Sequence, residues 1–220
     1  MRDVTLRVLC EGPTEQNFCT QVLAPHLRSV RVFIRPEPLC QGRFGIVPFA
    51  KLRRAIKGDI GRSRSHEWVT TMIDLYGLVG FPGAEMLPPE SVNDRVARIE
   101  AEMAEGLPNP RFIPYIQVHE FEALVLVDVD LLPSQFPDGE ADGAPARLRA
   151  RIGNTAPEEV NDGDETAPSK RLIREVPGYA AMKSIAGPSI VSRIGLPRLR
   201  QTCPHFGAWV DQLERLSAEP

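Results

Sequence analysis

Val4-Thr5-Leu6-Arg7-Val8-Leu9-Cys10-Glu11-Gly12-Pro13-Thr14-Glu15 passes from an apolar, partly β-branched run to an acid, a Gly-Pro pair and a second acid. The first seven residues read as a strand that stops at Glu11-Gly12-Pro13. Thr14 is placed to cap a helix running toward Leu27. Further along, Val30 to Ile34 reads as a second strand, and Phe49, Leu52, Ala55 and Ile56 recur at helical spacing. Trp68 to Leu75 reads as a buried strand that ends at Asp74, and Ser91 to Glu105 as a polar amphipathic helix. Phe112 to Val118 reads as another strand, with Pro114 marking an edge or a bulge, and it ends at His119-Glu120.

Strands alternating with helices imply a largely parallel sheet with helices on its faces, so the class is α/β with about four strands. No good strand follows Val127. Pro137 to Pro168 is rich in Gly, Pro, Asp and Glu and carries one short helix near Ala144 to Ile152; the tail from Ser169 reads as helical and basic. The organisation expected is a core over residues 1–127 and a mainly helical, loop-rich extension over 128–220, packed on the same domain.

The chain has 220 residues, 42% hydrophobic and 25% charged, enough for one substantial core and unlike a disordered composition. It has no run of 18 apolar residues that could span a membrane. Met1 to Cys10 lacks the length and cleavage pattern of a signal peptide, so a cytoplasmic location is expected. Cys10, Cys19, Cys40 and Cys203 form no C-x-x-C pair, which reads as scattered free thiols. No G-x-x-x-x-G-K-[ST] occurs, and Gly42-Arg43-Phe44-Gly45 is no substitute, so P-loop ATP hydrolysis is excluded.

The net charge of −3 conceals segregation. Arg28 to Arg64 holds ten Lys/Arg against two acids, Lys170 to Gln201 seven against one, and Ala84 to Pro168 six against eighteen. Two basic segments around an acidic middle suit a phosphate backbone held near carboxylates; a solvated mixed-charge surface explains the counts equally simply.

Glu11, Asp74 and Glu120 each fall at the end of an expected strand, and ligands of open α/β sheets bind beyond those carboxyl ends. Glu15 lies one helical turn past Glu11, and Glu122 two residues past Glu120. Such a group repels itself unless a cation joins it, and hard oxygen ligands suit a divalent ion that can neutralise phosphate and activate water. The plainer readings are that Glu15 favours a helix N-terminus and that Glu120 and Glu122 lie on the surface.

Leu9 to Phe18 (LCEGPTEQNF), Thr70 to Gly77 (TTMIDLYG), His119 to Leu124 (HEFEAL) and Ala167 to Arg171 (APSKR) together resemble an uncharacterised, stand-alone family of the Toprim clan. That family, a domain of unknown function, is related to the Toprim domain of OLD-type nucleases. The resemblance runs through Cys203-Pro204-His205-Phe206. It implies a Toprim-like sheet and a site for Mg2+ (or Mn2+) held by Glu11, Glu15 and Asp74, with Glu122 and Glu120 or His119 completing it. It also implies that Lys170 stabilises charge at the scissile phosphate. Members often lie beside AAA-type ATPases in a setting of phage defence, which implies an ATPase partner. One departure stands out: the second Asp of the family's D-x-D is Tyr76, a phenol of pKa about 10 and a poor magnesium ligand.

Among the remaining residues, His119 could bind metal, although a histidine at a strand end more often serves structure. Ser169 and Arg171 could touch phosphate, and Ser169 could instead cap a helix. Lys51, Arg54 and Lys57 could track nucleic acid or form a solvated face. Aromatics, at 6%, do not interleave with that basic run, so stacking on single strands is not signalled. The function expected is metal-dependent cleavage of DNA or RNA phosphodiester bonds. Against it stand a non-catalytic nucleic-acid-binding or regulatory subunit, which Tyr76 favours, and a nucleotide phosphohydrolase, which the acidic segment favours. No membrane partner is expected, and self-association into a homo-oligomer stays open.

Overall fold

A computed structural model describes residues 2–39, 44–62, 67–76, 78, 80–160 and 166–218, without the side chains of 58–62. Cys40, Gly42, Arg43, Arg64 and Gly77, which figure in the sequence reading, lie outside the described residues.

Strand β1 (Val4–Cys10) leads into α1 (Pro13–Phe18), which continues through a π-helical turn (Cys19–Leu23) into α2 (Ala24–Arg28). Then follow β2 (Val32–Pro38), α3 (Phe49–Arg62), β3 (Glu67–Asp74), α4 (Val92–Gly106), β4 (Phe112–Ile113) and β5 (Ile116–Gln117). Beyond the sheet lie α5 (Glu122–Val125), a 3-10 segment (Leu126–Gln135), α6 (Ala144–Ile152), α7 (Pro168–Glu175), α8 (Tyr179–Ile194), α9 (Leu196–Thr202) and α10 (Pro204–Arg215). The α/β class, the parallel sheet and the helical C-terminal region are those the sequence predicts.

The sheet is parallel, in the order β2-β1-β3-β4, with β5 also on β3. Period-two alternation divides β1: Leu6, Val8 and Cys10 enter one core, and Leu9 the other. The first core takes α1, α2 and the helices from α5 onward, including Phe18, Leu124, Leu172, Ile190 and Trp209. The second takes α3 and α4, with Leu52, Ile56, Val96 and Ile99. A sheet covered on both faces explains why β3 is buried almost throughout rather than alternating with polar residues. The chain leaves β1 for β2 over one face, then crosses back past β1 to β3 over the other. The point of reversal lies between β1 and β3, where doubly wound sheets open a crevice at their carboxyl edge.

Local differences from the sequence reading have physical causes. The second strand is Val32–Pro38, not Val30 to Ile34, because Arg31 takes a left-handed φ of 63° in the turn that closes α2. Pro36 and Pro38 are tolerated because β2 is an edge strand. The helix after β1 is capped at Gly12, not Thr14: Pro13 occupies the first helical position, and Glu15 Oε2 accepts from Gly12 N–H at 2.7 Å. The helix begun at Phe49 runs to Arg62.

The strand expected over Phe112 to Val118 is broken at Pro114-Tyr115 into β4 and β5. Thr71 Oγ1 mends the gap, donating to Tyr115 C=O at 2.9 Å and accepting from Tyr115 N–H at 2.8 Å. On the outer side of β5, Ile116 N–H donates to Glu100 Oε1 at 2.7 Å, and Ile116 C=O lies 3.1 Å from His205 Nε2. The edge backbone is thereby covered by side chains. Thr71→Val keeps the shape and strands two buried polar groups on Tyr115, so a loss of about 2–4 kcal/mol is expected. Urea unfolding of Thr71→Val beside Thr71→Ser checks it; equal midpoints for all three proteins would rule the repair out.

Two anchors tie the ends of the chain to the sheet. Trp209 on α10 stacks on Tyr115, with ring centroids 4.1 Å apart and planes at 9°, and its Nε1–H donates to Thr70 Oγ1 at 3.0 Å. Arg2 N–H donates to Ser217 C=O at 3.1 Å, beside the start of β1. Among the described residues, no helix is long and apolar enough to cross a membrane.

Candidate functional site

The register pairs Cys10 of β1 with Met72 of β3, so β3 runs two residues past the end of β1 and Glu11 and Asp74 meet at the reversal point. Glu11 N–H donates to Met72 C=O at 3.2 Å, and Glu11 Oε2 accepts from Asp74 N–H at 3.1 Å. Asp74 Oδ1 in turn accepts from Phe121 N–H at 3.0 Å, which draws in the segment after β5. Glu15 is buried on the first turn of α1, folded back over Gly12. Gly12 leaves room for that fold-back: a Cβ would stand 3.0 Å from Glu15 Oε2.

The segment His119 to Glu122 sends its acids in two directions. His119 takes a left-handed φ of 59°, and its carbonyl accepts from Tyr76 N–H at 3.0 Å. Glu120 turns to α7, where its oxygens accept from Ser169 N–H at 2.8 Å and Ser169 Oγ–H at 3.0 Å. A carboxylate on the first turn of a helix is favoured by the exposed N–H groups and the helix dipole. Glu122 is fully buried, accepting from the Tyr179 hydroxyl at 3.2 Å and pairing with Lys183 Nζ at 3.1 Å. Both partners stand on α8, one turn apart. This helix comes close because Gly187 faces the Tyr179 hydroxyl and the Phe121 ring, which a Cβ would meet at 3.0 and 3.1 Å.

Glu11, Glu15, Asp74 and Glu122 therefore form one electrostatic unit. Burial raises the carboxyl of Asp74 well above the usual range, and Glu15, Glu11 and Glu122 raise it further, against Lys183. Glu11 is raised by burial and by Glu120, against the Asp74 N–H and Lys183; Glu15 is raised by burial and by Glu11. Glu122 is pushed up to about 7 by burial, with Lys183 opposing. Burial works against the charge on Lys183, but Glu122, Asp74 and Glu120 outweigh it and hold the ammonium protonated beyond the ordinary lysine range.

Among the described residues, one lysine faces the four carboxylates, which leaves surplus negative charge in a partly desolvated site. The donors are oxygen only, the chemistry a hard divalent cation selects. The residues fit such an ion in kind. In the arrangement seen, however, Glu11, Asp74 and Glu15 each turn an oxygen to a backbone N–H. Among the described residues, no three His, Cys, Asp or Glu side chains converge to hold a metal.

Of the residues singled out from sequence, Glu11, Glu15, Asp74 and Glu122 come together. Glu120 lies beside them but is engaged by Ser169, so Ser169 positions Glu120 rather than capping α7 with its own side chain. His119 is buried within the turn below Tyr76. Arg171 donates to Thr166 C=O at 2.6 Å. Lys170 is exposed on α7, and the cation among the carboxylates is Lys183. Lys51, Arg54 and Lys57 are exposed along α3. Lys183 and Tyr179 escaped the sequence reading. Their signal was a polar pair at i and i+4 in an otherwise apolar stretch, in which Lys183 is the one charged residue between Tyr179 and Ser192.

The family model described as a domain of unknown function (DUF4276) matches residues 10–214, from the end of β1 through most of α10. No curated protein and no solved structure matches the chain, and none of these comparisons ties it to Toprim or OLD-type nucleases.

Proposed function

The chain belongs to the DUF4276 family over residues 10–214, and from the site enclosed by that stretch we propose a metal-dependent nuclease of Toprim-like design that cleaves DNA or RNA phosphodiester bonds. The observation that carries the reading is the buried carboxylate group at the carboxyl ends of β1 and β3, in surplus over the one lysine that faces it among the described residues. Glu11, Glu15, Asp74 and Glu122 would hold magnesium or manganese, with Glu120 fixed behind them by Ser169. A hard divalent cation there supplies charge neutralisation at phosphate and activation of water.

The chain's own residues have distinct tasks. Glu11 and Asp74 fix each other through the Asp74 N–H, so neither can shift alone. Tyr179 and Lys183 hold Glu122 at one orientation. The Lys183 side chain is about a third exposed, which lets its ammonium meet a phosphate oxygen, the task the resemblance gave to Lys170. A controlling AAA-type ATPase and a role in antiviral defence belong to the same proposal and rest on the resemblance alone.

A non-catalytic, nucleic-acid-binding or regulatory role is the second reading. It is favoured by Tyr76 at the place of the second aspartate and by carboxylate oxygens already turned to N–H donors. The deciding experiment incubates the pure protein with labelled plasmid DNA and total tRNA in magnesium or manganese, beside Glu11→Ala and Lys183→Met. Cleavage by wild type that falls at least about a hundredfold in both variants is expected. Binding without cleavage, in the presence of the neighbouring ATPase as well, would replace the nuclease with the second reading. Turnover of free nucleotides but not polymers would make it a nucleotide phosphohydrolase.

A further inference from the structure

Glu122 on α5 divides its two oxygens between two kinds of partner. Oε1 accepts from the Tyr179 hydroxyl at 3.2 Å. Oε2 faces the Lys183 ammonium at 3.1 Å but is fully enclosed and, among the described residues, accepts no hydrogen bond of good geometry. A buried carboxylate oxygen so placed is held by charge alone, and its lost hydration is poorly offset.

Lys183 acts beyond Glu122. Its positive charge opposes the upward shift of Glu11, Glu15 and Asp74 as well as that of Glu122. In the arrangement seen it is the counter-charge of the whole group, the task a metal ion would otherwise perform. Glu11, Asp74 and Glu15 each turn one oxygen to a backbone N–H, at 3.1, 3.0 and 2.7 Å, and keep the other for a cation.

A divalent ion and this ammonium would contend for one oxygen. An ion bonded to Glu122 Oε2 would stand within about 5 Å of Lys183 Nζ, and like charges that close in a desolvated site repel strongly. The lysine can yield, because its ammonium ends a flexible stem and its side chain is 35% exposed. Glu122 stays in place, because Tyr179 retains Oε1.

Resting on the metal reading above, we propose that Lys183 is a built-in competitor of the metal: its ammonium neutralises the carboxylates while no ion is bound, and a divalent cation binds by displacing it toward solvent. Displacement frees the ammonium for a phosphate oxygen, so metal loading and substrate recognition are coupled through one side chain.

The test is manganese binding, read by electron paramagnetic resonance of the free ion, to wild type, Lys183→Met, Glu11→Ala and Lys51→Met. Lys51 is exposed on α3, across the sheet from α8, and its variant controls for the loss of one positive charge. Lys183→Met is expected to bind manganese about five- to hundredfold more tightly than wild type, Lys51→Met as wild type does, and Glu11→Ala more weakly. In wild type, acetylation of Lys183, measured by mass spectrometry against Lys51, is expected to rise several-fold when manganese is added. That second measurement decides the matter where Lys183→Met does not fold. Affinity unchanged or weakened in Lys183→Met, equal tightening in Lys51→Met, undiminished affinity in Glu11→Ala, or labelling of Lys183 indifferent to bound manganese would overturn the proposal. No manganese binding by wild type or by Lys183→Met would instead sink the metal reading, and the proposal with it. Tighter binding by Lys183→Met without cleavage by wild type would sink the nuclease and leave the competition standing.

Discussion

Lys183→Met is expected to lose about 2–4 kcal/mol of stability at pH 8 and little at pH 5. Breaking a fully buried ion pair from one side costs about 3–5 kcal/mol. Lys183 is about a third exposed, so solvent screening reduces that figure. The pH dependence follows from Glu122. Its folded carboxyl is pushed up to about 7, above the ordinary value of 4.5, so its contribution to stability is fully present below about 4.5 and fades as pH rises through about 7. Removing the ammonium raises that folded value further. The variant must then either protonate Glu122 or bury its charge unpaired, and this penalty appears only where the wild-type carboxyl ionises. Urea unfolding at pH 5, 6.5 and 8 reads it directly. A difference between the proteins that does not grow with pH would show that Lys183 is not the counter-charge of Glu122.

Trp209→Ala is expected to have the largest effect on stability alone, about 3–5 kcal/mol for loss of a packed aromatic. For a chain of this size that lowers Tm by about 8–15 °C. The indole carries three separate contacts: the stack on Tyr115, the tilted ring of Phe206 at 6.0 Å, and the Nε1–H bond to Thr70. Trp209→Phe retains most of the ring and strands only Thr70, so it should cost about 1–2 kcal/mol. The gap between the two variants in thermal unfolding separates packing from the hydrogen bond. If Trp209→Ala melts within about 2 °C of wild type, α10 is not fastened to the sheet through this ring.

The sheet was legible because β1 and β3 are mainly apolar and β-branched and stop at Glu11 and Asp74, and the pattern of a strand buried on both faces needs no distant information. The helix at Ala144–Ile152 was legible because Gly143 and Gly153 bracket it. Glu11, Glu15, Asp74 and Glu122 were legible because each sits at or beside the end of a local element. Lys183 was not, since its place depends on α8 folding back over α1 and α5, a long-range event that Gly187 permits. The break at Pro114 was foreseeable, but its repair by Thr71 was not, because the hydroxyl comes from a different strand 44 residues away.

The bond from Arg2 N–H to Ser217 C=O brings the two described ends of the chain to one corner, at the amino end of β1. β1 spans seven residues, so that corner lies about 20 Å from the carboxylate edge. Topologically the chain is nearly a closed ring with its seam behind the crevice. A short Gly/Ser bridge across the seam, with new ends opened at the turn around Gly139 and Asp142, would give a circular permutant of the same sheet. An affinity handle or surface anchor placed at the seam would present the carboxylate edge outward.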